Sequence, residues 1–266
     1  MIDFLGIGAQ KAGTSWLWFN LKHHPEIWTP FLKEVHYFDV KYLDFPAEER
    51  LMHIKEKVAS ILSRKNPNPK RARYLKKVVQ EDYCFTEDWY RHIFSRSPSD
   101  KTKGEFTPYY SCLPDDGIRY VKKLAPKVKL IFLIRDPVAR AISSLGLRLD
   151  RGLQEPEHQI VSDPSFQLRG DYRRNINAWE SVFDQNRILY IPFGRVKSQP
   201  GKVMRDVEDF LGLSQFDEYP NLMKPRHVSS RATVDDRAAE IIAKFSEAQY
   251  SFLRDRFGDE FVAEIK

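Results

Sequence analysis

Cysteine is nearly absent. Cys84 and Cys112 are the only two, too few for a disulfide framework and at a spacing that matches no zinc motif. No apolar stretch approaches the roughly 18 residues that a membrane-spanning helix needs. The chain passes from Met1 straight into an apolar, strand-like run, with neither the charged leader nor the long apolar segment of a secretory signal. A cytoplasmic protein is therefore expected. The 12 glycines and 16 prolines are scattered singly, so no linker, low-complexity tract or internal repeat divides the chain. One domain over residues 1–266 is expected.

What is present suits a substantial core: 42% of residues are hydrophobic and 13% aromatic. A formal net charge of +6 favours an anionic partner, but charge speaks to association and steering rather than to fold. Nucleic acid, an acidic membrane and a phosphorylated cofactor all stay open on charge alone. Much of the excess lies in residues 64–77 (RKNPNPKRARYLKK), a basic stretch broken by prolines that reads as a solvated surface.

Residues 2–8 (IDFLGIG) form a short apolar run ending in glycine, and residues 16–22 follow with helical apolar spacing. The pattern is strand, tight loop, helix. Residues 34–39 (EVHYFD) alternate enough for a short strand or extended turn, which would put Glu34, His36 and Phe38 on one face. The aromatics Tyr83, Trp89, Tyr90 and Phe94 have the spacing of core packing. Residues 128–134 (VKLIFLI) read as a strand buried on both faces, followed by a helix after Arg135-Asp136-Pro137. Further on, residues 172–183 read as a helix, 187–192 as a buried strand, and 201–211 as a helix capped by Gly212; a last helix starts near Asp235-Asp236 and stops at Gly258. Strands alternating with helices predict an α/β fold with a central parallel sheet flanked by helices.

The loop between the first strand and helix lies where such sheets bind ligands, beyond a strand's carboxyl end and against a helix amino terminus. Gly13 lets backbone approach an anion, Thr14 and Ser15 add hydroxyl donors, and Lys11 adds a mobile charge. This is a P-loop-like anion site. It is not a Walker A loop, because Lys11 precedes Gly13 and no Gly-Lys-Ser/Thr follows. Nor is it a dinucleotide fingerprint, since Gly6 and Gly8 lack the third glycine. Arg135 at the end of the second buried strand and Ser143 on the helix after it offer a second anion site, although pairing of Arg135 with Asp136 would serve as well. Two such sites suit a ligand with two separated phosphates.

Taken together, Gln10-Lys11-Ala12-Gly13-Thr14-Ser15-Trp16, then Lys33-Glu34-Val35-His36-Tyr37-Phe38-Asp39, then Arg135-Asp136-Pro137 with Arg140 and Ser143, resemble the sulfotransferases that use 3′-phosphoadenosine 5′-phosphosulfate (PAPS). The second segment is similar to the heparan-sulfate and bacterial small-molecule branch. Weaker likeness runs through Gly104-Glu105-Phe106-Thr107-Pro108-Tyr109-Tyr110 and on to Phe210-Leu211-Gly212-Leu213.

The resemblance implies that Lys11, Ala12, Gly13, Thr14 and Ser15 bind the 5′-phosphosulfate end, with Trp16 near the adenine, and that Arg135 and Ser143 bind the 3′-phosphate. It implies that Glu34 is the base, with His36 as rival base or neighbour and Asp39 beside it. PAP would be the product, no metal would be needed, and the partner would be a small-molecule or glycan acceptor rather than nucleic acid or membrane. Lys224 and Arg226 would form a lid over the nucleotide, or a basic surface loop. One departure stands out: relatives often carry Lys where Phe106 follows Glu105. The rival functions are a nucleotide-dependent phosphotransferase, which needs a magnesium site, and a non-catalytic polyanion binder using residues 64–77.

Overall fold

The computed structural model describes residues 2–43, 45–63, 68–220, 222–224 and 234–266. A five-stranded sheet in the order β2-β3-β1-β4-β5 organises them, with every pairing parallel. Its strands are β1 (Phe4–Gly8), β2 (Ile27–Trp28), β3 (Thr102–Phe106), β4 (Lys129–Ile134) and β5 (Ile188–Pro192). All five residues of β1 and the last five of β4 are buried. Such continuous apolar runs belong in a sheet covered on both faces.

The cover comes from the helices. After β1 comes α1 (Thr14–Leu21); between β2 and β3 lie α2 (Tyr37–Tyr42), α3 (Ala47–Leu62), α4 (Pro69–Val78) and α5 (Glu87–Ile93). Before β4 runs α6 (Asp115–Leu124), and between β4 and β5 run α7 (Pro137–Asp150), α8 (Glu157–Ser162), α9 (Pro164–Leu168) and α10 (Tyr172–Glu180). The chain closes with α11 (Phe193–Ser198), α12 (Pro200–Leu211), α13 (Asp236–Phe257) and α14 (Asp259–Glu264). Among the described residues no helix is long and apolar enough to cross a membrane.

Local signals act as read. Gly212 ends α12 in the left-handed conformation (φ 77°), and Asp235 caps α13 by accepting from the Ala238 N–H at 2.7 Å. Trp89, Tyr90 and Phe94 are buried, while Tyr83 packs at the core's edge. In α4, Tyr74, Leu75 and Val78 face inward and Arg71, Arg73, Lys76 and Lys77 face solvent. Residues 64–67 of that basic stretch lie outside the described residues. Both cysteines are free thiols.

Residues 34–39 are the main correction, because they are not extended. Glu34 and His36 sit in the left-handed region (φ 62° and 58°), and α2 begins at Tyr37. The alternation that suggests a strand here is produced by a tight loop instead. Its conformation is imposed by hydrogen bonds from distant residues, described below.

The strand order places the site. The chain fills one side of β1 with β2 and β3, then crosses to the other side for β4 and β5. Crevices at the carboxyl ends of strands where the winding reverses are where such sheets bind ligands. The polar chemistry lies there, on the loops after β1 and β4 and on the segment after β2 that docks onto the end of β3.

Candidate active site

At the end of β1 the Ala9 N–H donates to the Leu133 carbonyl of β4 at 2.8 Å, which fastens the loop to the neighbouring strand. Lys11 and Gly13 then take left-handed conformations (φ 68° and 90°). Gly13 is the N-cap of α1, whose first turn holds no acidic residue and no side-chain cap. The helix therefore keeps its free N–H groups and positive dipole end for an anion. A Cβ on Gly13 would lie 3.0 Å from the Phe193 ring, so glycine is required for space as well as for φ. Ala12 and Thr14 are buried, while Ser15 and Lys11 stay partly open to the cleft.

Arg135 joins this loop. Its Nη1 donates to the Lys11 carbonyl at 2.7 Å, and its guanidinium lies 4.8 Å from the centre of the Phe193 ring. Its backbone is pinned by the Tyr172 hydroxyl, which accepts from the Arg135 N–H at 3.1 Å and donates to its carbonyl at 2.8 Å. Asp136 is engaged elsewhere: its carboxylate accepts from the Ala139 N–H (2.8 Å), capping α7, and from the Tyr250 hydroxyl (2.5 Å). Ser143 is buried on α7, and Ser144 beside it donates to Gln10 Oε1 at 3.4 Å. Burial pushes the Lys11 ammonium below its ordinary value, and Arg135 and Arg151 push it further in the same direction. A site where cations repel each other is one that gains from an anion.

The second cluster lies on the segment after β2 and docks onto the end of β3, the strand beside β1. Gly6 of β1 pairs with Phe106 of β3, and the Glu34 N–H donates to the Phe106 carbonyl at 3.0 Å. Glu34 thus stands at the carboxyl end of the strand beside the phosphate loop. Its side chain, 37% exposed, forms an ion pair with Lys33, and its Oε2 lies 3.5 Å from His36 Nε2. His36 is buried; its Nδ1 meets Asp39 Oδ2 at 2.5 Å and its ring stacks on Phe45 at 4.1 Å. Burial alone would raise the Glu34 pKa, but Lys33 and His36 outweigh it and hold the carboxyl well below the usual range. Burial would lower that of His36, but Asp39 and Glu34 outweigh it and raise it. The arrangement is a carboxylate between the Lys33 ammonium and a histidine that Asp39 locks in place, with both carboxylates raising the histidine's pKa.

Several residues were not found by sequence reasoning. Arg50 of α3 is 9% exposed and donates from Nη2 to the Lys33 carbonyl at 3.1 Å. Lys57 of the same helix is half-buried, its pKa lowered first by burial and then by Arg50 and Lys33, with Glu34 opposing. Phe106 explains why a cation is wanted from elsewhere. Its ring is fully buried against Phe4 (5.9 Å between centroids) and over Gly6, where a Cβ would come within 1.8 Å of it. Glu105, which sequence reasoning placed only within the Gly104–Tyr110 likeness, is fully buried too.

Trp16 is 4% exposed and donates its indole N–H to the Leu222 carbonyl at 3.0 Å. It lies in the core, tied to the segment just before Lys224, which is exposed. Arg226 lies outside the described residues.

Comparison with known proteins agrees with the α/β fold. The sulfotransferase family model matches residues 4–218, and the chain belongs to that family. It is 28% identical over 138 residues to heparan sulfate glucosamine 3-O-sulfotransferase 3B1 of Mus musculus, covering 48% of this chain and 35% of that protein. It is also 28% identical over 152 residues to the Mus musculus bifunctional heparan sulfate N-deacetylase/N-sulfotransferase 1, covering 50% and 17%. The matched regions thus span about a third or less of these curated relatives. A sulfotransferase from Alicyclobacillus acidocaldarius has the same fold, with a TM-score of 0.68 at 22% identity over 96% of this chain and 95% of that one. The sulfotransferase domain from the curacin biosynthetic pathway follows at 0.53 and 17% identity, over 90% and 82%.

Proposed function

We propose that the enzyme takes its sulfuryl group from PAPS and passes it to a hydroxyl or amine on a small-molecule or glycan acceptor, with Glu34 as general base. The observation that carries this reading is geometric: Glu34, docked through its N–H on the Phe106 carbonyl at the end of β3, stands beside the β1 loop that Arg135 ties down at the Lys11 carbonyl. The donor set fits the nucleotide: Lys11, the backbone at Ala12 and Gly13, Thr14 and Ser15 for the 5′ end, Arg135 and Ser143 for the 3′-phosphate. Arg135 and Phe193 wall the loop, and the Gly13 cradle would be filled by any side chain. Trp16 anchors α1 through its indole bond to the Leu222 carbonyl.

PAPS supplies an activated sulfuryl group held through one bridging oxygen. Glu34 accepts the acceptor's proton as the new sulfur–oxygen (or sulfur–nitrogen) bond forms. Lys11 neutralises the charge that the bridging oxygen gains as its bond to sulfur breaks. Positioning and charge stabilisation do most of such work, as in phosphoryl transfer. His36 is the poorer base: Asp39 and Glu34 raise its pKa and favour the protonated form, so its contribution is to orient Glu34. The names of the relatives favour a glycan hydroxyl or amine; a polyketide-type alcohol suits the same cleft.

The test is transfer from radiolabelled PAPS to a panel of heparan sulfate, glucosamine oligosaccharides and simple alcohols in EDTA, alongside PAP binding by calorimetry. Persistence in EDTA separates the reaction from magnesium-dependent phosphoryl transfer. Glu34→Gln is expected to leave PAP affinity nearly intact and to lower turnover by about 10²–10⁴. Normal turnover in Glu34→Gln together with its loss in His36→Ala would overturn the choice of base.

A further inference from the structure

Glu105 has no exposed surface and, among the described residues, no ion-pair partner, yet four donors converge on its carboxylate. Oε1 accepts from the hydroxyls of Tyr110 (2.9 Å) and Tyr90 (3.1 Å); Oε2 accepts from the Thr107 hydroxyl (2.7 Å) and the Val35 N–H (3.2 Å). A buried carboxylate is costly to keep unless such bonds satisfy it. Burial pushes its pKa up while the hydrogen bonds pull it back.

Val35 is the residue between Glu34 and His36, and both of those are non-glycine residues in the left-handed region. Isolated left-handed residues of this kind persist only where surrounding structure dictates them. The Tyr110 hydroxyl adds a second tie. It gives its one proton to Glu105, which leaves a lone pair for the Tyr37 N–H at 3.0 Å. The two backbone N–H groups at positions 35 and 37 therefore both depend on Glu105, one directly and one through Tyr110. The Glu34 N–H on the Phe106 carbonyl and Arg50 on the Lys33 carbonyl complete the clamp.

We propose that Glu105 is a positioning residue for sulfuryl transfer: from inside the fold it fixes the loop on which Glu34 and His36 stand and sets how the two meet. This rests on the role given to Glu34 above. It also gives Thr107 a function, since the hydroxyl two residues on in the same strand end completes the carboxylate's shell.

Glu105→Gln preserves shape while replacing one acceptor oxygen by a donor amide. The expected result is a fall in kcat of about 10–100-fold, as for a misplacement near 1 Å, with the KM for PAPS and the Kd for PAP within about twofold of wild type. Thr107→Val, which removes a single donor, is expected to give a smaller fall with the same split, and it serves if Glu105→Gln does not fold. A readout independent of turnover is the His36 imidazole titration by NMR, assigned with His36→Gln. In wild type it is raised; in Glu105→Gln it is expected to move back toward about 6.5 as Glu34 and Asp39 lose their alignment. A folded Glu105→Gln with wild-type kcat, or with an unchanged His36 titration, overturns the proposal. Failure of wild type to bind PAP would instead sink the PAPS reading, and the His36 titration would still decide the role of Glu105.

Discussion

Replacing Gly13 by alanine should damage stability and donor binding together, and the two causes of the damage can be separated. The first is conformational: at φ 90° an L side chain meets its own backbone, which costs about 1–2 kcal/mol. The second is steric: the new Cβ would sit 3.0 and 3.1 Å from two atoms of the Phe193 ring and 3.6 Å from Leu133, and overpacking of this kind costs about 1–3 kcal/mol. The sum, roughly 2–5 kcal/mol, corresponds to a Tm lower by roughly 4–20 °C at about 2–4 °C per kcal/mol for a chain of this size. A Phe193→Leu background should remove the steric part only. The double-mutant cycle is then expected to show a favourable coupling of about 1 kcal/mol or more, with the conformational part remaining. PAP affinity is expected to fall by about 10–100-fold as one charge-assisted N–H contact is lost. The measurements are thermal unfolding of the four chains and calorimetry with PAP. A Gly13→Ala enzyme with the parental Tm and PAP affinity would refute both the strain and the placement of the anion.

Phe106→Lys introduces the residue that relatives carry there, yet it should not behave as a repair. The ring fills the space over Gly6, so the exchange is expected to cost at least the roughly 3–5 kcal/mol of losing a core phenylalanine and to give no gain in PAP release; a variant of normal Tm and faster turnover would contradict this. The Glu34–His36 pair also makes stability depend on pH. His36 has a raised folded pKa, so its contribution is full below about 6.5 and is lost as pH rises through the folded value. Glu34 has a depressed one, so its contribution is present above about 4.3 and is lost as pH falls through the folded value. The Tm gap between wild type and His36→Gln should accordingly be larger at pH 6 than at pH 9, and a gap that widens at pH 9 would reverse the assignment of charges.

Legibility in the sequence followed the range of the interactions involved. Strands β1, β4 and β5 and the caps at Gly212 and Asp235 depend on residues close in sequence, so periodicity and cap chemistry were enough to find them. Lys11, Gly13 and Arg135 could be named because anion binding has a local grammar of glycine, cation and helix start. The loop at residues 33–37 has no such grammar. Its left-handed turns at Glu34 and His36 are held by Val35 on Glu105 and Tyr37 on Tyr110, contacts across 70 and 73 residues. Polar–apolar alternation therefore suggested an extended strand where long-range hydrogen bonds enforce a turn. Glu105 was named only within the Gly104–Tyr110 likeness and given no role for the same reason: its donors come from residues 35, 90 and 110 as well as from nearby Thr107. Its neighbour Phe106 drew notice for the lysine it lacks, and the structure reverses that emphasis. Phe106 belongs to the core under Gly6, cations reach Glu34 from Lys33 and the α3 residues Arg50 and Lys57, and Glu105 carries the chemistry of the segment. A base on a turn this dependent on distant contacts can be held to a geometry that its own few residues would not adopt, which ties the alignment of the site to the folding of β3 against β1.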